Sequence, residues 1–384
     1  MTFTATIFSV IFGTFFISCD AYFATRPQMI SYLIIILWIY ICEKYYRDKK
    51  VKLLFLLPIL SVLEINFHSS CWFLLIIFSL PFYFEYAIEA VKKRKISDEF
   101  RLFVLFLCLA FMAGLINPYG AENLVYIANA LHANTNIIYE MKKIELFSYF
   151  GIVISSLLFV YILALTLTKT KSRNIELRHI FFVVGTHAFS LSTIKSGIYF
   201  VMISCYCISS LLPEFLKNKV DNKKLDNNRK ALCFILCLSL ICTITFCSIR
   251  KTNISISSFR YNYYTIKKDF SKNTNIKNAK VYTNYSNGGI LEYMGYKCYI
   301  DARAEVFYKQ MNKREDIFNE FYILSIGSGK LEREEFLKKY NFTNLFITNG
   351  DTFYGNKKIK GYTLVAERDN YRLYTRNDLF KRKK

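Results

Sequence analysis

The sequence of 384 residues is poor in acid, proline, histidine and tryptophan. It has 29 Asp and Glu against 51 Lys and Arg, a net charge of +22, with 5 Pro, 4 His and 2 Trp. Long segments of the first 249 residues lack charge, which excludes a single soluble domain, a disordered chain and a coiled coil. Ten of the 11 Cys lie in or beside these apolar segments, so the sequence holds no disulfide framework, and it has no CxxC or His-rich metal motif.

Apolar residues fill the space between short basic clusters. They make up 53% of the chain and form blocks of about 15–23 residues in positions 1–249. Blocks of that length suit helices that cross a bilayer. The sequence therefore predicts an α-helical multi-span membrane protein with about nine transmembrane helices, at 2–18, 28–42, 53–66, 71–90, 102–117, 146–168, 180–194, 197–214 and 231–249.

The basic residues alternate between loops in a way that predicts the topology. Residues 1–249 hold 24 Lys and Arg, and 20 of them lie in the loops 44–52, 92–101, 169–178 and 215–230. Because cytoplasmic loops collect positive charge, we expect a cytoplasmic amino terminus and an extracytoplasmic chain after residue 249. Much of the basic excess then has a topological origin, and we expect membrane lipid rather than nucleic acid as the partner.

Residues 250–384 differ in composition, since they are polar and rich in Lys and Tyr. Strand patterns alternating with helical patterns predict a small α/β domain. We therefore divide the chain into a transmembrane domain, 1–249, and an extracytoplasmic α/β domain, 250–384. The strands are expected at 281–285, 297–300, 344–348, 363–367 and 372–376.

Polar residues of the apolar part gather at the predicted outer face. The span interiors are nearly free of charge, which argues against a transporter. A polar cluster at the membrane boundary fits a lipid-borne substrate with a water-exposed headgroup, and the spacing of its histidines does not favour a metal site. Its members are Asp20, Arg26, Gln28, Glu64, Asn66, His68, Asn117, Tyr119, Glu122, His132, His187 and Lys195.

Two cations at this face, Arg26 and Lys195, are candidate ligands for a headgroup phosphate, which needs neutralising charge. Both also have ordinary explanations, because Arg26 precedes a proline that suits a helix start and Lys195 lies in a short polar turn. In the second domain, Asp301 and Arg303 follow a strand, where α/β domains place functional groups. The alternative for this pair is an ion pair that ties the domain to the membrane face.

Five short motifs follow one another along residues 20–376. They are Arg26-Pro27-Gln28, Asn66-Phe67-His68, Asn117-Pro118-Tyr119-Gly120, Asn287-Gly288-Gly289, and Asp301-Ala302-Arg303 with Tyr308. In this order they resemble a bacterial family of polytopic membrane proteins grouped with the GT-C glycosyltransferases. The resemblance implies transfer of a sugar from a polyprenyl-phosphate donor at the outer leaflet to an envelope acceptor. The residues expected to bind substrate or phosphate are Arg26, His68, Asn117, Tyr119, Lys195, Asp301 and Arg303.

The chain departs from that family where the catalytic acid is expected. GT-C enzymes carry acids in a long first outer loop, whereas this loop covers only about 19–27, with Asp20 as its single acid. Sugar transfer needs a carboxylate base, for which Asp20 and then Glu122 and Glu64 are the candidates. Either leading spans are missing, or a partner polypeptide supplies the loop, or the protein is a non-catalytic membrane-anchored envelope-assembly or glycan-binding protein. The cofactor is left open, a divalent cation included.

Overall fold

The computed structural model describes residues 28–131, 138–169, 176–217, 262–272, 278–327, 330–355 and 357–381. The chain divides into two compact units. The first, which we call the helical unit, comprises residues 1–127 and 135–247, and the second, the sheet unit, comprises residues 128–134 and 248–384. The predicted boundary at 249/250 lies outside the described residues, as do the predicted spans 2–18 and 231–249.

Eight helices precede residue 218 in the described part of the chain. Local sequence explains their ends: in the fourth, the Ser97 hydroxyl accepts a hydrogen bond from the backbone N–H of Phe100, Asp98 and Glu99 occupy the first turn, and Gly114 follows the last. The helices are α1 Gln28–Asp48, α2 Leu56–Ile77, α3 Leu80–Lys93, α4 Asp98–Ala113, α5 Glu122–Leu131, α6 Tyr149–Lys169, α7 Leu177–Ser190 and α8 Gly197–Lys217.

The prediction of about nine transmembrane helices, and with it the multi-pass GT-C-like fold, is wrong. Among the residues described above, two helical stretches, Gln28–Asp48 and Val51–Lys93, are long and apolar enough to cross a membrane. The apolar part of α6, Phe150–Leu163, is shorter, and so is Ile194–Ile208, which includes the start of α8. α4 and α7 have only 16 and 14 residues, whereas a bilayer needs about 20. Hydropathy alone does not distinguish lipid-facing side chains from those packed inside a protein. The loop topology derived from nine spans therefore loses its basis.

The helical unit is held together by one apolar core with polar contacts between its helices. α1 lies along α3, where Trp38 Nε1 donates to Ser79 Oγ at 2.8 Å and the Tyr46 hydroxyl donates to Glu89 at 2.6 Å. Tyr45 of α1 stacks on Phe103 of α4 with 6.3 Å between ring centroids. These contacts fix α1 against two neighbours and bury both polar and aromatic side chains.

A break at His68 bends α2 sharply. His68 has non-helical backbone angles, φ −152° and ψ 77°. The indole N–H of Trp72 donates to Ser61 Oγ at 2.7 Å, although 11 residues of straight helix would separate the two backbones by about 16 Å. Gly114 allows the close approach, because a Cβ there would lie 2.2 Å from Trp72 Cζ2. The break places residues on both sides of His68 in one neighbourhood.

The sheet unit contains a five-stranded mixed sheet, with a strand at each of the five positions predicted from the sequence. The strands β1 Lys280–Tyr282, β2 Lys297–Cys298, β3 Asn344–Thr348, β4 Tyr362–Glu367 and β5 Tyr371–Arg376 lie in the order β2-β1-β3-β5-β4. β1 is parallel to both β2 and β3, whereas β5 is antiparallel to β3 and β4. The helices are α9 at 262–272, α10 Gly288–Tyr293, α11 Lys309–Asn312, α12 Ile317–Gly327, α13 Lys330–Tyr340 and α14 Asn377–Lys381.

Side chains alternate between the two faces of this sheet along each strand, and both faces are covered by other parts of the sheet unit. Val281 and Phe346 pack with Phe270 of α9 on one face. Tyr282 faces the other side, where its ring contacts Phe336 of α13 and Phe353. The parallel strands are therefore covered on both faces, as parallel sheets require.

Candidate functional site

Of the two residues predicted to be catalytic, Asp20 and Glu122, only Glu122 lies in the described part of the chain. Asp20 and the predicted phosphate ligand Arg26 lie outside it. Glu122 begins α5 at an exposed position, and Tyr119 nearby is 70% exposed. Asn117 closes the turn before α5, because its side-chain amide donates to Gly114 O and Gly120 O while Oδ1 accepts from the N–H of Tyr119. These contacts give Asn117 a structural role.

The structure does bring three predicted outer-face residues together, namely Glu64, His68 and Lys195. The His68 ring lies between two hydroxyls, with Ser31 Oγ 3.2 Å from Nδ1 and Ser70 Oγ 3.1 Å from Nε2. The charge of Lys195 acts on the same ring. Lys195 sits in the short 3-10 turn Ile194–Ser196, whose start is capped by the Thr193 hydroxyl.

Cys71 joins this group, although the sequence analysis did not select it. Ligand atoms of Glu64, His68 and Cys71 all lie within 4.8 Å of one another, and the Cys71 sulphur is 3.3 Å from the Tyr199 hydroxyl. Helical spacing does not predict this group, because the backbone break at His68 interrupts the helix between Glu64 and Cys71. The signal available in the sequence is that three metal-ligand types lie within eight consecutive residues. We refer to Glu64, His68 and Cys71 as the His68 cluster.

Asp301 and Arg303 form an ion pair within the sheet unit. Arg303 donates to Asp301 from its backbone N–H and its guanidinium, and it also reaches Glu292 at 2.8 Å. Burial opposes ionisation of Asp301, but hydrogen bonds from Arg303 outweigh it and hold the pKa of Asp301 below its usual range. Burial, with Asp301 beside it, raises the pKa of Glu292. Two carboxylates share this one guanidinium, which supports the ion-pair alternative over a free phosphate ligand.

The carboxyl ends of β1 and β3 bring a second set of polar residues together. Asn284 and Asn287 both donate to Thr348 Oγ1, at 2.8 and 3.1 Å. The Tyr282 hydroxyl donates to Asp351 at 3.2 Å, and burial raises the pKa of Asp351 to about 6. In α/β sheets this edge is where ligands bind. Here, however, the side chains are occupied with one another.

An open cleft of about 600 Å³ lies between α11, the start of α12 and α13. We call it the basic cleft. Its cations are Lys309, Lys313, Arg314 and Lys339, and its acids are Glu315, Asp316 and Glu320. α11 has only four residues and is followed by Lys313, whose backbone is in the left-handed conformation, so the chain turns tightly. Lys313, Arg314 and Glu315 are exposed in this turn, before α12 begins.

The acids of the basic cleft are already engaged. Lys339 pairs with Glu315 at 2.9 Å and with Glu320 at 2.8 Å. Asp316 accepts a hydrogen bond from the backbone N–H of Asn319 at the start of α12. The charges of Lys309, Lys313 and Arg314 are therefore left to face the cleft, which makes it suited to an anion. The sequence analysis missed these residues, because scattered Lys and Arg in a basic domain carry no distinctive spacing.

A buried arginine organises the other end of the helical unit. The Arg178 side chain is 2% exposed and pairs with Glu43 at 2.9 Å, Glu85 at 2.7 Å and Glu176 at 2.8 Å. Its guanidinium also lies 4.4 Å from the centre of the Tyr46 ring. Glu43, Glu176 and His179 are close enough to share a metal ion, but Arg178 already satisfies both carboxylates, so we assign a structural role to this cluster.

Comparison with known proteins adds no relative. No protein-family model matches this sequence, and a search of curated proteins finds no similar one. The resemblance to the GT-C group therefore stays a prediction, and the proposals below rest on the geometry alone.

Proposed function

We propose that this is a membrane-anchored protein whose sheet unit binds an acidic, phosphate- or carboxylate-bearing polymer of the cell envelope. The anchor consists of the two stretches Gln28–Asp48 and Val51–Lys93, which have the length and composition to cross a membrane. The observation that carries the binding function is the basic cleft, where Lys309, Lys313 and Arg314 lie together and two of the three acids are paired with Lys339.

The charge of the sheet region supports an acidic partner. Residues 250–384 contain 27 Lys and Arg against 14 Asp and Glu. Residues 1–249 contain 24 Lys and Arg against 15 Asp and Glu, so more than half of the net positive charge lies in the shorter region 250–384. A basic surface attracts polyanions by long-range electrostatics and binds them through individual phosphate or carboxylate contacts. A chain with a membrane anchor meets such polymers at the envelope, and for that reason we favour them over nucleic acid.

Sugar transfer from a lipid-linked donor stays a prediction. Its first candidate base, Asp20, and its first phosphate ligand, Arg26, lie outside the described residues. The carboxylates that the structure does describe near His68 and Arg303 are buried or paired. Binding without catalysis, the alternative derived from the sequence, needs none of these groups.

The test compares two triple variants of equal charge. Full-length protein in lipid nanodiscs is titrated with a fluorescent glycerol-phosphate polymer, with dextran as the neutral probe. Lys309→Gln, Lys313→Gln and Arg314→Gln together remove the cleft cations, whereas Lys268→Gln, Lys297→Gln and Lys358→Gln remove three exposed lysines elsewhere in the sheet unit.

We expect the cleft variant to bind the polymer roughly 10- to 150-fold more weakly, which corresponds to about 0.5–1 kcal/mol for each contact. Its affinity should also depend less steeply on salt. Equal losses in the two variants would show that net charge, not the cleft, governs binding. Stronger binding of duplex DNA than of the polymer would replace the proposed partner, and binding of neither would refute the function.

A further inference from the structure

The His68 cluster contains three different metal-ligand types in a buried place. Glu64 is fully buried, Cys71 is 3% exposed, and His68 is half-buried at the break in α2. The carboxylate oxygen, imidazole nitrogen and thiol sulphur lie within 4.8 Å of one another. A single ion can therefore contact all three after small side-chain movements.

The buried carboxyl group of Glu64 has no hydrogen-bond partner among the described residues. Both of its oxygens are buried, and neither accepts a hydrogen bond from a group in the described ranges. The Ser31 hydroxyl lies beside the carboxylate but is engaged with His68 Nδ1 at 3.2 Å. A carboxylate that is buried without a partner is unfavourable, and a bound cation would supply that partner.

Lys195 does not supply that cation, because neither Glu64 oxygen has a hydrogen-bond partner in the described ranges. The Tyr199 hydroxyl lies 3.3 Å from the Cys71 sulphur, where it can donate a hydrogen bond to this ligand when a metal ion is bound. Such an outer hydrogen bond orients a metal ligand.

We propose that Glu64, His68 and Cys71 bind one divalent transition-metal ion of zinc type. Carboxylate and thiolate together balance the two positive charges of the ion, and imidazole completes a three-ligand set typical of Zn²⁺ and Co²⁺. Mg²⁺ and Ca²⁺ are disfavoured, because they prefer oxygen ligands. The fourth position is left for water or an anion, and the positive charge of Lys195 beside the site favours an anion. This inference is independent of polymer binding by the sheet unit.

The test uses the full-length chain in nanodiscs, stripped of metal and loaded with Co²⁺. We expect one Co²⁺ per chain and the near-ultraviolet absorption of a cobalt–thiolate bond, both displaced by one equivalent of Zn²⁺. Cys71→Ser should abolish the thiolate band, and Glu64→Gln should weaken Zn²⁺ binding at least tenfold. Cys205→Ser, at a buried cysteine elsewhere in the same core, is the matched control and should keep the band.

The wild-type measurement decides the matter even if a variant fails to fold. Absence of stoichiometric metal and of the thiolate band in wild-type protein would refute the proposal. A band that persists in Cys71→Ser, or disappears in Cys205→Ser while the helical circular-dichroism signal is unchanged, would place the metal elsewhere. Equal affinity for Mg²⁺ and Zn²⁺ would also contradict the assigned ligand set.

Discussion

Replacing Arg178 by Gln should destabilise the helical unit by about 3–5 kcal/mol, because it leaves buried carboxylates without their partner. The Glu43 and Glu85 side chains are each 12% exposed, and both pair with Arg178. Glu43 retains an ion pair with Arg47, so most of the loss should come from Glu85. The cation–π contact with Tyr46 is lost as well.

Tryptophan fluorescence provides the assay. The two Trp of the sequence, Trp38 and Trp72, are both buried in the helical unit, so their emission follows unfolding of this unit in a denaturant titration. Arg101→Gln is the control, because Arg101 forms an exposed pair with Asp98 and should cost at most about 1 kcal/mol.

The origin of the effect is tested by a second substitution. Glu85→Gln in the Arg178→Gln background removes the unpaired charge and should restore at least 1 kcal/mol, whereas Glu85→Gln alone should destabilise. A loss below about 1 kcal/mol for Arg178→Gln, or additive effects of the two substitutions, would refute the account of a buried charge network.

Two further predictions concern packing and titration. Gly114→Ala places a methyl group 2.2 Å from Trp72 Cζ2 and should cost about 1–3 kcal/mol in the tryptophan assay, whereas Gly185→Ala, with open space around its Cβ, should cost nothing. Burial raises the pKa of Asp351 from 3.8 to about 6, so the folded sheet unit holds this proton more tightly than the unfolded chain. Ionisation of Asp351 should therefore lower stability as pH rises from 4 to 6, by about 3 kcal/mol in all. Asp351→Asn should remove that dependence from the hydrogen exchange of the β1 and β3 amides, corrected for intrinsic rates, and an unchanged pH profile would contradict this.

Local patterns predicted the local structure of the sheet unit. β3 occupies the residues expected for it, Asn344–Thr348, and the other strands lie within three residues of their predicted bounds. Alternating side chains report a strand because consecutive residues point to opposite faces, a property of the chain itself. Likewise, Asn117-Pro118-Tyr119-Gly120 is composed of residues that favour turns, and the Asn117 side chain closes a turn at this position.

The prediction of nine membrane spans failed because an apolar segment has the same composition whether it faces lipid or packs inside a protein. The predicted spans 53–66 and 71–90 join in one helical stretch, Val51–Lys93, that bends at His68. The bend depends on contacts of Trp72 with Ser61 and Gly114, and hydropathy does not contain that information.

By itself, the sequence determined the positions of the five strands to within three residues. It also determined which segments are apolar and that the region after residue 249 is basic. Only the tertiary structure decided which charges meet. Arg178 pairs with Glu43, 135 residues away along the chain, and with Glu85, 93 residues away. Lys339 pairs with two acids of the basic cleft, Glu315 and Glu320, from another helix. Which charged side chains come into contact depends on how the helices pack. The same pattern of charges in a sequence can therefore give a structural ion pair, a metal site or a free binding surface.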